Sequence, residues 1–81
     1  MLKPFSEQAK QLKIGLYRHY KGNEYLVLHV ARHSETLEEY VVYRALYGER
    51  DVWCRPIEMF CENVVIEGKE QPRFMFIQEE K

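Results

Sequence analysis

The spacing of apolar residues changes once along the chain, at Gly15, and the change separates two kinds of element. Before it, Phe5, Ala9 and Leu12 recur at i, i+4 and i+7, with Ser6 in N-cap position and Gly15 just beyond the end. This predicts a short amphipathic helix from about Glu7 to Lys13, too short to stand alone and therefore docked on the rest. After Gly15 the pattern is that of strands. Leu16 to Tyr20 and Tyr25 to His33 are rich in Tyr, Val and Leu, and Lys21-Gly22-Asn23-Glu24 between them is a turn signal. A tight hairpin centred on Gly22-Asn23 sets Tyr20 opposite Tyr25, Arg18 opposite Val27 and Leu16 opposite His29. The core face then carries Tyr17, His19, Leu26, Leu28 and Val30, with His19 at its edge.

Ser34 to Glu38 reads as a polar connection and Glu39 to Tyr47 as a third strand. Val41, Tyr43, Ala45 and Tyr47 lie on one of its faces and Val42, Arg44 and Leu46 on the other. Gly48 to Asp51 is a turn and Val52 to Arg55 a short strand. Pro56 opens a single helical turn through Phe60, because proline at a first helical position sacrifices no hydrogen bond. Met59 and Phe60 are expected to plug one end of the core. Val64 to Ile66, a loop at Gly68 to Gln71 and a strand at Arg73 to Ile77 complete the chain, with Phe74 and Phe76 sharing a face.

The expected fold is mainly β: a small SH3-like barrel or a curled antiparallel sheet of five to six strands. A short N-terminal helix and a one-turn helix near Pro56–Phe60 accompany it. Residues 1–81 are expected to form one domain, with a helical extension over 1–14, a β core over 15–77 and a frayed tail over 78–81.

Composition narrows the function classes. The 81 residues are 46% hydrophobic and 31% charged, the balance of a globular domain rather than a disordered tail. The longest apolar stretch, Tyr25 to Val30, is interrupted by His29 and is far short of the ~20 residues of a membrane-spanning helix. The start, Met1-Leu2-Lys3-Pro4, lacks the apolar run of a secretory signal, and two cysteines are too few for a disulfide framework. Cytoplasmic residence is the expectation, with no membrane partner.

The net charge of −1 does not announce a nucleic-acid binder, although residues 1–22 hold five basic side chains against Glu7 alone. The four glycines stand far apart, so no phosphate loop exists to drive nucleotide chemistry. Cys54 and Cys61 lie seven apart with no His-x₃₋₅-His downstream. His29 and His33, on a strand, would be separated by about 13 Å. Neither pattern suits a metal, and no cofactor is expected.

Two segments draw attention. His33-Ser34-Glu35-Thr36 brings hydroxyl, imidazole and carboxylate groups together. Neighbouring strand residues point to opposite faces, so His33 and Ser34 do not make a nucleophile–base pair on a continuing strand. The plainer reading is a turn whose hydroxyls bond its own backbone while His33 caps the sheet edge. The second is arginine among aromatics, at Arg18, Arg44, Arg55 and Arg73. Tyr17, Tyr20, Tyr25, Tyr40, Tyr43, Tyr47 and Trp53 are possible stacking platforms, or simply core. Arg55, between Trp53 and Pro56, is the leading ligand-binding candidate; its plainer role is an ion pair with stacking on Trp53.

Several ordered motifs resemble one family. They are Gly15-Leu16-Tyr17-Arg18-His19-Tyr20-Lys21-Gly22, Tyr25-x-Val27-Leu28, His33-Ser34-Glu35-Thr36 and Val41-Val42-Tyr43-x-x-Leu46-Tyr47-Gly48. Trp53-x-Arg55-Pro56-x-x-Met59-Phe60 and Pro72-Arg73-Phe74 close the series. From Gly15 to Ile77 the chain resembles the bacterial family catalogued as domain of unknown function 1653. The resemblance implies a small, mostly β bacterial protein and supplies no activity. His29 stands where the family pattern implies a small residue and Cys54 where it implies valine, which argues against a general role for either.

The functional expectation is a non-enzymatic binding module. Tyr17, His19, Trp53, Arg55 and the turn His33, Ser34, Glu35 and Thr36 would form its surface, and single-stranded nucleic acid, a nucleotide-like small anion or a peptide would be its partner. The alternatives are a small hydrolase-type enzyme using His33 and Glu35 as acid/base groups, and a homo-oligomeric protein-interaction subunit.

Overall fold

The computed structural model describes residues 4–79; Met1 to Lys3, Glu80 and Lys81 lie outside the described residues. Helix α1 (Glu7–Gln11) starts at Ser6, whose hydroxyl accepts the Ala9 N–H at 3.1 Å. It ends two residues earlier than the spacing predicts, because Leu12 is already extended. The expected docking is present: Ala9 is buried, and Phe5 and Leu12 pack on the core. Ser6 also donates its N–H and hydroxyl to the Glu39 carboxylate at 2.7 and 2.6 Å, tying the helix to a strand.

Five antiparallel strands form one sheet in the order β4-β3-β2-β1-β7, with ranges β1 (Gly15–His19), β2 (Glu24–Arg32), β3 (Glu39–Ala45), β4 (Val52–Pro56) and β7 (Phe74–Glu79). The edge strands β4 and β7 do not pair, so of the two expected forms the structure is the open sheet. Seven strands are present among the described residues rather than five or six. The additional one is β6 (Lys69–Pro72), read from the sequence as part of a loop, which pairs with β5 (Asn63–Ile66) in a separate hairpin. Glu67 and Gly68 at its tip have φ of 51° and 79°, as a tight primed turn requires. Strand β7 runs through Glu79, so Gln78 and Glu79 belong to the sheet and not to a frayed tail.

The β1–β2 register differs from the expected one by three places. Tyr17 lies opposite Tyr25, Arg18 opposite Glu24 and Gly15 opposite Val27. An odd offset exchanges the faces of β2: Val27 is fully buried, whereas Leu26 and Leu28 are half-buried on the other side. The cause is the turn, which closes from His19 to Asn23 through His19 N–H to Asn23 O (2.8 Å) and Gly22 N–H to His19 O (2.7 Å). Gly22 sits there at φ +107°, a conformation side chains oppose. A bulge between Val27 and His29 then returns Val30 to the core side, beside Val41.

The core lies on the covered side of the sheet. Phe60 and Phe74 stack with centroids 4.2 Å apart, and Tyr17 and Tyr43 meet Phe60 at 5.4 and 5.5 Å. Helix α2 (Ile57–Phe60) buries Ile57 and Phe60. Met59, expected beside Phe60, is 53% exposed, because a four-residue helix turns only one side inward. Among the described residues no helix is long and apolar enough to cross a membrane.

Candidate functional site

The sheet has two ends that carry polar chemistry, and each holds a histidine. At the first, β2 stops at Arg32 and His33 to Glu38 form a turn. His33 N–H donates to Glu38 O at 2.7 Å and Leu37 N–H to His33 O at 2.8 Å. His33 Nδ1 accepts the N–H groups of Glu35 and Thr36 at 3.1 and 3.3 Å. Thr36 Oγ1 accepts the Glu38 N–H and donates to its carboxylate, and Ser34 Oγ donates to Glu35 Oε2 at 3.3 Å. Ser34 therefore bonds Glu35 and not His33, and the imidazole and hydroxyls close the turn itself. A cleft of about 270 Å³ beside it is lined by Ser6, Arg32, Leu37, Glu38, Glu39 and Ile57, among others.

At the second end, β1 finishes at His19 and β7 begins at Phe74, its cross-strand partner. The two rings meet edge to face at 4.9 Å, and Tyr20 and Tyr25 flank the imidazole at 4.5 and 6.3 Å. Tyr25 reaches Tyr47 through a 2.6 Å hydrogen bond between hydroxyls. Burial and that shared bond push the Tyr25 phenol up to about 12. Across the sheet, Trp53 lies opposite Tyr43 and Arg55 opposite Val41, so both stand on the core side of β4. Trp53 is 56% exposed at the edge. The half-buried Arg55 extends over the aromatic cluster until its Cζ lies 5.6 Å from the Phe74 ring centre. It stacks on Phe74, not on Trp53 as the sequence suggested.

The charges here are unbalanced. Arg18 pairs with Glu24 at 2.8 Å and Arg73 with Glu62 at 2.7 Å. Arg55 has neither a carboxylate nor a hydrogen-bond acceptor among the described residues. The Arg73 Nε–H is buried with no acceptor among them either. His19 Nδ1 accepts the Lys21 N–H at 3.2 Å. Burial, then Arg55, Arg73 and Lys21, hold the His19 pKa below 6.5.

The expected site residues are thus divided. His19, Trp53 and Arg55 share the core side of the sheet; Arg55 itself stands opposite Val41, nearer the first end, and its guanidinium reaches over to Phe74 at the second. Tyr17 lies beneath that side, 5% exposed, its hydroxyl donated to Lys13 O at 2.7 Å. Burial, then the Cys61 thiol, push its phenol to about 12, against the opposing pull of that hydrogen bond. His33, Ser34, Glu35 and Thr36 sit beyond the far end of β2, whose nine residues span roughly 27 Å at ~3.3 Å each. Phe74 and Lys21 were not singled out from the sequence; the Pro72-Arg73-Phe74 motif was the signal for the first, and the β1–β2 turn for the second. Both cysteines are free, and burial pushes the Cys61 thiol up.

Residues 15–76 match the family model described as protein of unknown function (DUF1653), so the chain belongs to that family. The crystal structure of a DUF1653 protein from Bordetella bronchiseptica is similar, with a TM-score of 0.81 and 36% sequence identity over 90% of this chain and 96% of that one. No curated protein matches the chain.

Proposed function

We propose that the protein is a non-enzymatic binding module whose second end recognises single-stranded nucleic acid. One observation carries this reading: the half-buried Arg55 guanidinium lies on an aromatic bed with no carboxylate among the described residues to neutralise it. A partly desolvated cation without a counter-ion is costly, and an anion from a ligand relieves that cost. Trp53 and Tyr47, both exposed nearby, offer faces on which bases stack, and Lys21 stands at the rim over Tyr20. Stacking beside a phosphate-binding cation is the general chemistry of single-strand recognition. Two unpaired thiols, one of them exposed, suit a cytoplasmic site of action.

Trp53 is the sole tryptophan and reports directly on this surface. Its fluorescence is expected to be quenched by short single-stranded RNA and DNA at low salt, with weaker binding near physiological salt. An unaltered signal at millimolar oligonucleotide contradicts the proposal. Quenching by an acidic peptide but not by either nucleic acid transfers the site to a peptide partner.

A further inference from the structure

Resting on that reading, we infer that Arg55 and His19 form a phosphate seat in which the His19 Nε2–H is a preset donor and the imidazole takes up a proton as the ligand arrives. The tautomer follows from the turn. Because Nδ1 accepts the Lys21 N–H, the proton of neutral His19 resides on Nε2. Nε2 has no partner among the described residues and is not among their fully buried unsatisfied atoms, on a residue that is itself part-exposed. Phe74 is common to both groups: the imidazole centre lies 4.9 Å and the Arg55 Cζ 5.6 Å from its ring centre. Two N–H donors that both border the Phe74 ring suit the oxygens of a phosphate whose attached base stacks on Trp53 or Tyr47.

The groups facing His19 also give the sign of the proton linkage. Lys21 comes from the β1–β2 turn, Arg55 from β4, Arg73 from the residue before β7, and the rings of Tyr20 and Tyr25 from the turn and β2. The Glu62 carboxylate is committed to Arg73. The charges that the described residues set against the imidazole, Arg55, Arg73 and Lys21, are positive until an anion arrives. A bound phosphate reverses that field and favours the imidazolium, so binding tightens as pH falls. Protonation also removes the Nδ1 lone pair that holds the Lys21 N–H, freeing the turn that carries the Lys21 ammonium to the rim.

The test is an imidazole ¹⁵N titration of the whole chain, free and with either a short single-stranded oligonucleotide or inorganic phosphate. In the free protein we expect the Nε2–H tautomer of His19 and a midpoint below 6.5. With oligonucleotide the midpoint should move up by about one pH unit, and affinity should tighten by up to about tenfold between pH 8 and pH 5.5. Arg55→Gln should raise the His19 midpoint of the free protein and abolish its response to either anion; His19→Gln should weaken binding severalfold and leave what remains independent of pH. Quenching of Trp53 with an unmoved His19 midpoint overturns the seat and leaves the proposed function standing. If neither nucleic acid quenches Trp53 but inorganic phosphate raises the midpoint in an Arg55-dependent way, the seat stands and the nucleic-acid reading fails. A midpoint unmoved by both anions overturns the seat outright.

Discussion

The two ends of the sheet begin from the same device and finish with opposite properties. Each has a histidine whose Nδ1 accepts backbone N–H groups from the turn that follows it: His33 from Glu35 and Thr36, His19 from Lys21. Around His33 the neighbours are Ser34, Glu35, Thr36 and Glu38, short acceptors and donors that close on each other. Around His19 they are aromatic rings and the cations Arg55, Arg73 and Lys21, with one counter-ion, on Arg73. A cluster whose polar groups bond one another is architecture, whereas a half-buried cation with no acceptor is available to a ligand.

The comparison is most strongly tested through what the ends share. Phe60 stacks on Phe74, the ring that His19 and Arg55 both border, and is 2% exposed. Phe60→Ala should cost about 3–5 kcal/mol in urea denaturation. That is much of the stability of a domain this small, so the loss should be cooperative across both ends. A smaller and one-sided effect is expected from Arg55→Gln. It should weaken oligonucleotide binding by about tenfold to a hundredfold, the worth of a charge-assisted hydrogen bond, with Arg55→Lys recovering part of it. His33→Gln in the same assay should bind as the parent does. Equal losses from both variants would dissolve the distinction between the ends.

His33→Ala should instead cost about 1 kcal/mol of stability, because two N–H groups lose their acceptor. Acidification should act at the opposite end. The His19 pKa is depressed in the folded protein, so below the ordinary histidine value of about 6.5 the unfolded chain takes up the proton first and stability falls. Thermal melts should shift down between about pH 7.5 and pH 5.5, and His19→Gln should reduce the slope. The smallest effect is expected at Leu37, an exposed residue held at φ 65° in the closed turn. Leu37→Gly should raise stability by about 0.5–1 kcal/mol by relieving that conformation.

The sequence was legible wherever a periodic pattern met a strong stop. Val41, Tyr43 and Ala45 alternate inward as read, and Phe74 is buried with Met75 and Ile77 exposed. What escaped it depended on turn geometry. The β1–β2 turn closes between His19 and Asn23 and not tightly about Gly22-Asn23, and that offset of three decided which face of β2 was buried. Strand β6 was hidden because Lys69 to Pro72 carries only polar residues and proline; it is held by backbone pairing with β5 and buries no apolar side chain. At the site, Arg55 and Trp53 were readable as candidates. They were grouped with His19, Tyr17 and the His33–Thr36 turn on one surface; that the turn lies apart, beyond the far end of β2, was not readable, because it depends on the length and register of β2, which sequence spacing does not encode.

The central claim is that the His19–Arg55 end carries a cation without a counter-ion among the described residues, whereas the polar groups of the His33–Thr36 end bond one another. An amide-resolved NMR titration with short single-stranded RNA and DNA, at low salt and again near physiological salt, tests it most directly. The account expects shifts at His19, Lys21, Tyr47, Trp53, Arg55 and Phe74 that weaken with salt, while His33, Ser34, Glu35 and Thr36 stay still. Shifts concentrated on His33 to Thr36, with the Arg55 end silent, would contradict it.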